Sequence, residues 1–259
     1  MVKVLKSGYY TSVQDLGRFG YREKGVPVSG VMDEQSAIFA NKLLNNSTNL
    51  AVLEITMTGP TLEFTEPTEI VITGANIQPT LNGNPISNYR QYAIQKGDLL
   101  AFGSLKHGFR AYLAVKGGFL ADEVLGSRSF YKPITAQNRL KDGDVLKINK
   151  LSQSHDALSH IHVHDFIDAE APLKVFPGPE YHLLKKQISS AVIGKRFTIS
   201  KNNNRMAYQL EEQCFTHEHS MLTSATMPGT VQLTPSGKII VLMKDGKFRA
   251  SFQRTMLLS

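Results

Sequence analysis

Short segments of alternating apolar and polar residues, separated by turn signals, constrain the fold of this chain more than any other feature. Over residues 51–58, Ala51, Leu53, Ile55 and Met57 alternate with Val52, Glu54, Thr56 and Thr58, which predicts a half-buried strand. Asn82-Gly83 marks a two-residue hairpin turn. The turns Lys96-Gly97-Asp98 and Asp142-Gly143-Asp144 each precede a further apolar run. Many short strands at this spacing indicate a mainly β protein, built as a barrel or sandwich with a few helices, and not a parallel α/β sheet.

Length and composition allow two domains of this kind. The chain has 259 residues, of which 41% are hydrophobic and 20% are charged, as in proteins with a substantial core. A polar, His-rich stretch interrupts the strand pattern, so we expect a first domain over residues 1–150, a linker over 151–171 and a second domain over 172–259. A helix over about residues 33–44 is expected within the first domain.

Charge and targeting signals exclude several classes of protein. No apolar run approaches the length of about 18 residues that a transmembrane helix needs, and the charged N-terminus is too short for a signal peptide. The single cysteine, Cys214, fits a reducing compartment, so we expect a cytoplasmic protein in which this thiol is buried and inert. The formal net charge is +7, but lysine and arginine are spread along the chain. We therefore expect an anionic small molecule or an acidic partner, and neither nucleic acid nor a membrane.

The segment from Thr11 to Asp33 is predicted to be a shaped loop that leads into the helix. It contains four glycines and one proline, which rule out an ordinary helix or a long strand. Gly25 and Gly30 have the spacing of a phosphate-binding P-loop, but Val31 and Met32 follow where that motif needs Lys and Ser or Thr. A nucleotide would therefore bind here only by another route.

The polar residues of this loop form the candidate site. A helix N-terminus offers free N–H donors and a positive potential to an anion, and nearby arginines add charge-assisted bonds. The alternative is structural: Ser29 or Asp33 caps the helix, and Arg18 pairs with Asp15. Two more arginines in tight turns are either solvated or contact an anion with both guanidinium arms. The candidate catalytic residues are Gln14, Asp15 and Arg18, and the candidate substrate- or anion-binding residues are Ser29, Gly30, Asp33, Arg128 and Arg205.

The histidines give only a weak indication of a metal. His160, His162 and His164 would lie on one side of a strand, and two such histidines can share an ion. However, they fall in the polar linker without a completing Cys or Glu, so a solvated linker is the preferred interpretation. His217 and His219 repeat the spacing and are interpreted in the same way. We expect no metal site.

A long motif opens the chain over Thr11–Arg18 and Gly25–Asp33, and shorter motifs follow it as far as Pro228–Gln232. In these motifs the chain resembles the biotin-dependent carboxyltransferase / allophanate hydrolase subunit 2 family, and within it the C subunits of 5-oxoprolinase. The resemblance runs from about Leu5 to Asp245. It depends mainly on the long opening motif, and on shorter motifs that follow in the family's order. The matching segments are Thr11–Arg18, Gly25–Asp33, Leu53-Glu54, Gly59-Pro60, Thr73–Ala75, Arg110–Gly118, Leu125–Ser129, Gly143-Asp144, Pro177–Pro179, Arg205–Leu210 and Pro228–Gln232.

This resemblance implies two cyclophilin-like β-barrel domains and a hetero-oligomeric hydrolase. The C subunits of the family act with a B subunit, their main partner, and with an A subunit to hydrolyse 5-oxo-L-proline to L-glutamate at the expense of ATP, with Mg expected beside the nucleotide. On this hypothesis the chain is an enzyme subunit that is inactive alone. Two alternatives stay open: a regulatory binding protein that antagonises a kinase inhibitor, and a carboxyltransferase module that uses biotin and acts on urea or allophanate.

The C-terminus departs from the family pattern. Family members continue past the position of Asp245 through a Thr-Gly-Gly-Tyr-Pro segment and further strands, whereas this chain reads Gly246-Lys247-Phe248-Arg249 and ends at Ser259. We therefore expect a second barrel that is truncated relative to the family and incomplete, with an exposed strand edge.

Overall fold

The computed structural model is mainly β, as the sequence predicts. The chain forms two compact units, each with most of its contacts within itself. Unit 1 comprises Met1–Arg18 and Ser29–Asp168, and unit 2 comprises Phe19–Val28 and Ala169–Ser259. Residues 19–28, which the strand pattern assigns to the first domain, thus belong to the second unit. The residues that the structure describes are 1–149, 172–219, 224–246, 249–250 and 253–258. The expected linker lies outside them, and with it the candidate histidines His160, His162 and His164.

Unit 1 is built from strands of three to nine residues, two shorter ones and one helix, α1 (Glu34–Leu43). The helix confirms the prediction for residues 33–44. The strands are β1 (Val2–Lys6), β2 (Tyr10–Gln14), β3 (Val52–Thr56), β4 (Thr61–Phe64), β5 (Thr68–Asn76), β6 (Pro79–Leu81), β7 (Asn84–Pro85), β8 (Gln91–Ile94), β9 (Leu99–Phe102), β10 (His107–Val115) and β11 (Val145–Leu146).

The strands of unit 1 form two sheets around one core. In the described residues their orders are β11-β1-β4-β9-β6-β7 and β2-β3-β10-β5-β8. Val4 and Leu62 of the first sheet and Leu53, Ile72 and Leu113 of the second are buried in the same apolar cluster. The hydrogen-bonded ladders of the described residues do not close into a ring, so unit 1 is a pair of packed sheets and not the closed barrel that the resemblance implies.

Helix α1 covers the other face of the five-stranded sheet. Ala37, Ala40 and Leu43 form its buried stripe and pack against Val71 and Ala114 of that sheet. Both faces of the central strands are therefore buried. This corrects the expectation of a half-buried strand over residues 51–58, because all five residues of β3 are buried.

Unit 2 has a six-stranded sheet in the order β12-β19-β16-β17-β14-β13 and a two-stranded sheet, β15-β18, in the described residues. Leu184 and Ile188 of helix α2 (Tyr181–Ala191) pack in one cluster with Val231 and Met256 of the larger sheet. Unit 2 also contains a 3₁₀ helix, Arg22–Lys24. The strands are β12 (Val175–Pro177), β13 (Ile199–Asn203), β14 (Ala207–Gln213), β15 (Ser224–Ala225), β16 (Thr230–Leu233), β17 (Lys238–Leu242), β18 (Arg249–Ala250) and β19 (Gln253–Leu258).

The residues after Asp245 supply an interior strand to this sheet. Strand β19 pairs with β12 on one side and with β16 on the other. The end strands of the described sheet are β12 and β13, so the altered C-terminus does not leave β16 as an edge. Among the described residues there is also no helix long and apolar enough to cross a membrane.

Candidate functional site

The carboxylate of Asp15 is the centre of a hydrogen-bond cluster in unit 1. Its Oδ1 accepts from the Gly17 N–H at 2.8 Å and from the hydroxyls of Ser127 and Ser129 at 2.6 and 2.7 Å. Its Oδ2 accepts from the Arg128 N–H at 2.6 Å. Four donors thus hold this carboxylate: one is two residues along the same loop, and three come from residues 127–129, which are 112 to 114 positions away. Such an arrangement fixes the loop after β2 in place.

Arg18 is almost completely buried, and its described contacts are backbone carbonyls. Its Nη2 donates to the Ser129 carbonyl at 2.5 Å, and its Nε lies 3.5 Å from the Val124 carbonyl. The guanidinium of Arg18 thereby binds the same segment whose serine hydroxyls, those of Ser127 and Ser129, bind the Asp15 carboxylate. The pairing of Arg18 with Asp15, suggested by the sequence as the structural alternative, stays a prediction.

Gln14 lies inside unit 1 and is also engaged. Its Nε2 donates to the Ser12 hydroxyl at 3.0 Å and to the Phe130 carbonyl at 3.3 Å. The Val13 carbonyl of the same strand accepts from the Phe130 N–H at 2.9 Å. The segment around Phe130 therefore lies along the outer side of β2, and Gln14 helps to hold it there.

Residues 30–31 of the loop lie in close contact with residues 15–16. The Val31 N–H donates to the Asp15 carbonyl at 2.8 Å. Gly30 has a φ of 84°, and a Cβ at this position would lie 2.7 Å from the Leu16 carbonyl carbon, closer than real contacts allow. Ser29 also has a left-handed φ, 57°, which few residues other than glycine adopt. The turn that begins at Ser29 is therefore strained and closely packed.

Asp33 caps helix α1. Its Oδ1 accepts from the Ser36 N–H at 3.0 Å, and its Oδ2 accepts from the Ser36 hydroxyl at 2.6 Å. Asp33 is thus the cap, and Ser29 is not. The carboxylate occupies the position that a bound anion would take at the helix N-terminus, and Glu34 adds a second acidic residue to the first turn.

A row of polar side chains crosses the sheet beneath this turn. Ser12, Glu54, Tyr112 and Thr73 are paired in register across β2, β3, β10 and β5, and all four are buried. The Thr73 hydroxyl donates to the Ser36 carbonyl of α1 at 2.7 Å. The row therefore faces the helix and not the apolar core between the two sheets.

Glu54 and Tyr112 bind the backbone of the turn. Oε2 of Glu54 accepts from the Met32 N–H at 2.7 Å and from the Tyr112 hydroxyl at 2.9 Å. The same hydroxyl accepts from the Asp33 N–H at 2.8 Å. Arg110 Nε lies 3.6 Å from Oε1, which partly balances the buried charge. Burial raises the pKa of Tyr112 well above its ordinary value of 10.0, and the Glu54 charge adds to this rise.

The two outlying arginine candidates have partners within the chain. Arg128 donates from Nη1 to the Ala121 carbonyl, and its Nη2 lies 3.3 Å from Glu123 Oε2. Arg205, in unit 2, forms a buried ion pair with Asp245, with Nε 3.0 Å from Oδ2 and Nη2 3.4 Å from Oδ1. The structure thus groups Arg128 with the Asp15 cluster and places Arg205 in the other unit.

The remaining titratable candidates in the described residues are His217, His219 and Cys214. The rings of His217 and His219 lie 6.1 Å apart, and within the described part of the chain no group of three His, Cys, Asp or Glu side chains could hold an ion. Cys214 is partly buried, and burial, followed by the charge of Glu212, raises the pKa of its thiol. A thiol with a raised pKa is a weak nucleophile at neutral pH.

The sequence interpretation misses three residues whose side chains bind the loop, namely Ser127, Ser129 and Glu54. It treats Ser127 and Ser129 only as neighbours of an arginine in a turn, and Glu54 as the polar side of a half-buried strand. One local signal is present for Glu54. Val52 is apolar although it shares the face of β3 on which Glu54 lies, which indicates that this face is covered.

The chain belongs to the family described as carboxyltransferase domain, subdomain A and B, whose model matches residues 24–258. It is 32% identical to the C subunit of 5-oxoprolinase from Escherichia coli (strain K12) over 260 aligned residues, which cover 98% of this chain and 83% of the relative. It is 30% identical to the protein of the same name from Haemophilus influenzae, with the same coverage. Urea amidolyase of Lachancea kluyveri is 41% identical over 153 residues, which cover 57% of this chain and 8% of that protein.

Solved structures share the fold of the whole chain. The structure of TTHA0988 matches with a TM-score of 0.90 and 27% identity over 100% of this chain, which spans about half, 51%, of the solved chain. The K. lactis urea amidolyase matches with a TM-score of 0.80 and 27% identity, over 100% of this chain and 17% of that chain.

Proposed function

We propose that this chain is the C subunit of an ATP-dependent 5-oxoprolinase and helps to convert 5-oxo-L-proline to L-glutamate together with the A and B subunits. The observation that carries the proposal is the extent of the similarity to the two relatives named as the C subunit of 5-oxoprolinase. It covers 98% of the chain and so includes both units. The B subunit is the proposed main partner, and the assembly is placed in the cytoplasm.

The geometry of the loop supports a protein that needs its partners. Asp15 and Asp33 already accept hydrogen bonds with both carboxylate oxygens, and the Gln14 amide already donates to two acceptors. A general base must be able to reach a proton of the substrate, and these carboxylates are directed at groups of their own chain. We infer that Gln14, Asp15 and Arg18 shape the site, and that the partner proteins complete its chemistry.

The residues around α1 do not fit a nucleoside triphosphate. Asp33 and Glu34 place negative charge where the phosphates would lie, and Val31 and Met32 replace the P-loop Lys and Ser or Thr. We therefore propose that ATP, with its Mg, is bound by the partner proteins and not at the N-terminus of α1.

Reconstitution tests the proposed function. The purified chain should release no glutamate from 5-oxoproline and ATP, whereas the chain combined with its cognate A and B subunits should release glutamate in proportion to the ATP hydrolysed. Mixtures that omit each of the three proteins in turn provide the controls. If all three are folded and mixed and no glutamate forms, the proposal is wrong.

The carboxyltransferase alternative is favoured by one observation. The 153 residues matched to urea amidolyase are 41% identical, a higher local identity than that to the 5-oxoprolinase relatives. On this alternative the chain would transfer a carboxyl group between urea and a biotinylated carrier protein. It predicts transfer of the carboxyl group from a carrier charged with carboxybiotin to urea, which leaves free biotin on the carrier, and no glutamate from 5-oxoproline in the reconstitution described above.

A further inference from the structure

Ser29 has two energetically unfavourable features, a strained backbone and a buried hydroxyl without a hydrogen bond from the described residues, that a purely structural residue rarely combines. Its φ of 57° lies in the left-handed region, and its side chain is completely buried. None of the described residues offers its Oγ a hydrogen bond. Buried hydroxyls are normally paired, and strained residues collect at sites of function. A glycine at this position would remove both costs.

Hydrogen bonds from the turn to Glu54 and Tyr112 keep Ser29 in its left-handed conformation. Glu54 accepts from the Met32 N–H, and Tyr112 accepts from the Asp33 N–H, so both bonds hold the backbone directly after the strained residue. The close approach of Gly30 to Leu16 holds the turn from the other side. The conformation is therefore determined by groups outside the turn, which is the condition under which strain persists.

We propose that Ser29 contacts the substrate in the assembled enzyme, and that Glu54 and Tyr112 are positioning residues that hold its turn ready. This inference rests on the proposed function. A serine hydroxyl can donate to a carbonyl oxygen and accept from an amide N–H, and a lactam such as 5-oxoproline offers both groups side by side. Since the hydroxyl is buried in the free chain, the proposal requires the turn at Ser29 to become accessible to substrate in the assembled enzyme.

Three variants separate the hydroxyl from the strain. Ser29→Gly removes both, Ser29→Ala removes only the hydroxyl, and Met57→Gly relieves a comparable left-handed φ of 62° away from the turn. In the reconstituted enzyme we expect both Ser29 variants to lose at least tenfold in kcat/KM and Met57→Gly to stay within twofold. Ser29→Gly should also raise the denaturation midpoint of the chain. Activity of Ser29→Gly within twofold of the wild type would overturn the proposal.

A double-mutant cycle tests the positioning role. Glu54→Gln keeps the shape of the side chain but weakens its hold on the turn, so kcat/KM should fall at least fivefold with Ser29 present. In the Ser29→Gly background the same change should cost less than twofold, because Glu54 acts through Ser29. Equal losses in both backgrounds would show that Glu54 supports the fold in general and would refute the positioning role.

A complex without any turnover would contradict the proposed function. The contact of Ser29 with the substrate would then be tested by the binding of 5-oxoproline. With the assembled complex and 5-oxoproline as the probe, we expect the ligand to raise the denaturation midpoint of the wild type and not that of Ser29→Ala. An equal shift of the denaturation midpoint in the wild type and in Ser29→Ala, or no shift in either, would refute the proposed contact of Ser29 with the substrate.

Discussion

The carboxylate of Asp15 accepts a hydrogen bond of 2.6 Å from the hydroxyl of Ser127, a residue 112 positions further along the chain. The next hydroxyl, that of Ser129, binds the same carboxylate oxygen at 2.7 Å. Unit 1 therefore joins the loop after β2 to the segment around Ser127 through one charged group. The residue that the sequence suggests as catalytic has a clear architectural function in the fold.

Replacing Asp15 with Asn should destabilise unit 1. The substitution turns one acceptor oxygen into an NH₂ group that faces donors, and hydrogen bonds to a charged group contribute about 1.5–3 kcal/mol each. We expect a loss of about 3 kcal/mol in the free energy of unfolding, measured in urea at neutral pH. Asp122→Asn, an exposed change in the segment that precedes Ser127, is the control and should stay within about 0.5 kcal/mol. Equal effects would contradict the importance of the cluster.

Gly30→Ala should be far more damaging than an equivalent change at Gly97. Both glycines have a positive φ, 84° and 95°, so alanine costs about 1–2 kcal/mol at either position. Only at Gly30 would the new Cβ meet backbone atoms of Leu16, at 2.7 Å, whereas nothing lies within 4 Å at Gly97. Thermal unfolding should show a clearly larger drop in Tm for Gly30→Ala, or failure of that variant alone to fold. Similar drops in both would argue against the close approach.

The ion pair of Arg205 and Asp245 should show strong coupling in unit 2. Breaking a buried pair by removing one partner typically costs about 3–5 kcal/mol, because the other charge is left uncompensated. We expect Arg205→Met and Asp245→Asn each to destabilise the chain by about 3 kcal/mol. The double variant should lose clearly less than the sum, as measured by denaturant unfolding. Strict additivity would mean that the two side chains do not act as a pair.

Tyr112 should make the chain sensitive to alkali. Its pKa is raised in the folded state above the ordinary 10.0, so above that pH the unfolded chain binds fewer protons than the folded chain. The free energy of unfolding should therefore fall by about 1.4 kcal/mol per pH unit from this residue, starting near pH 10. Tyr112→Phe should remove that part of the slope above about pH 10. An unchanged slope would show that Tyr112 ionises normally.

Local chemistry makes most of the secondary structure predictable. The Asn82-Gly83 hairpin has positive φ angles of 51° and 81°, the conformation for which these two residue types are selected. The alternation of Leu53 and Ile55 with polar neighbours correctly predicts β3. These features depend on residues that are close in sequence, so their patterns are visible without tertiary structure.

The candidate site is less predictable, because it depends on contacts that sequence spacing does not encode. The alternation that predicts β3 also predicts that Glu54 faces solvent, and only the packing of α1 buries it. In the same way, nothing near Asp15 indicates that its partners are Ser127 and Ser129. The glycines mark the loop, but which of its groups stay available is decided by residues far along the chain.

The cross-strand row of Ser12, Glu54, Tyr112 and Thr73 has a consequence for how this fold tolerates insertions. Successive side chains of a strand point to opposite faces, so one extra residue before Glu54 in β3 would turn its carboxylate into the apolar core. The same shift in β2, β5 or β10 would remove its member of the row. Relatives of this chain can therefore lengthen the turns between these strands, but gaps in their alignments should avoid the four strands themselves.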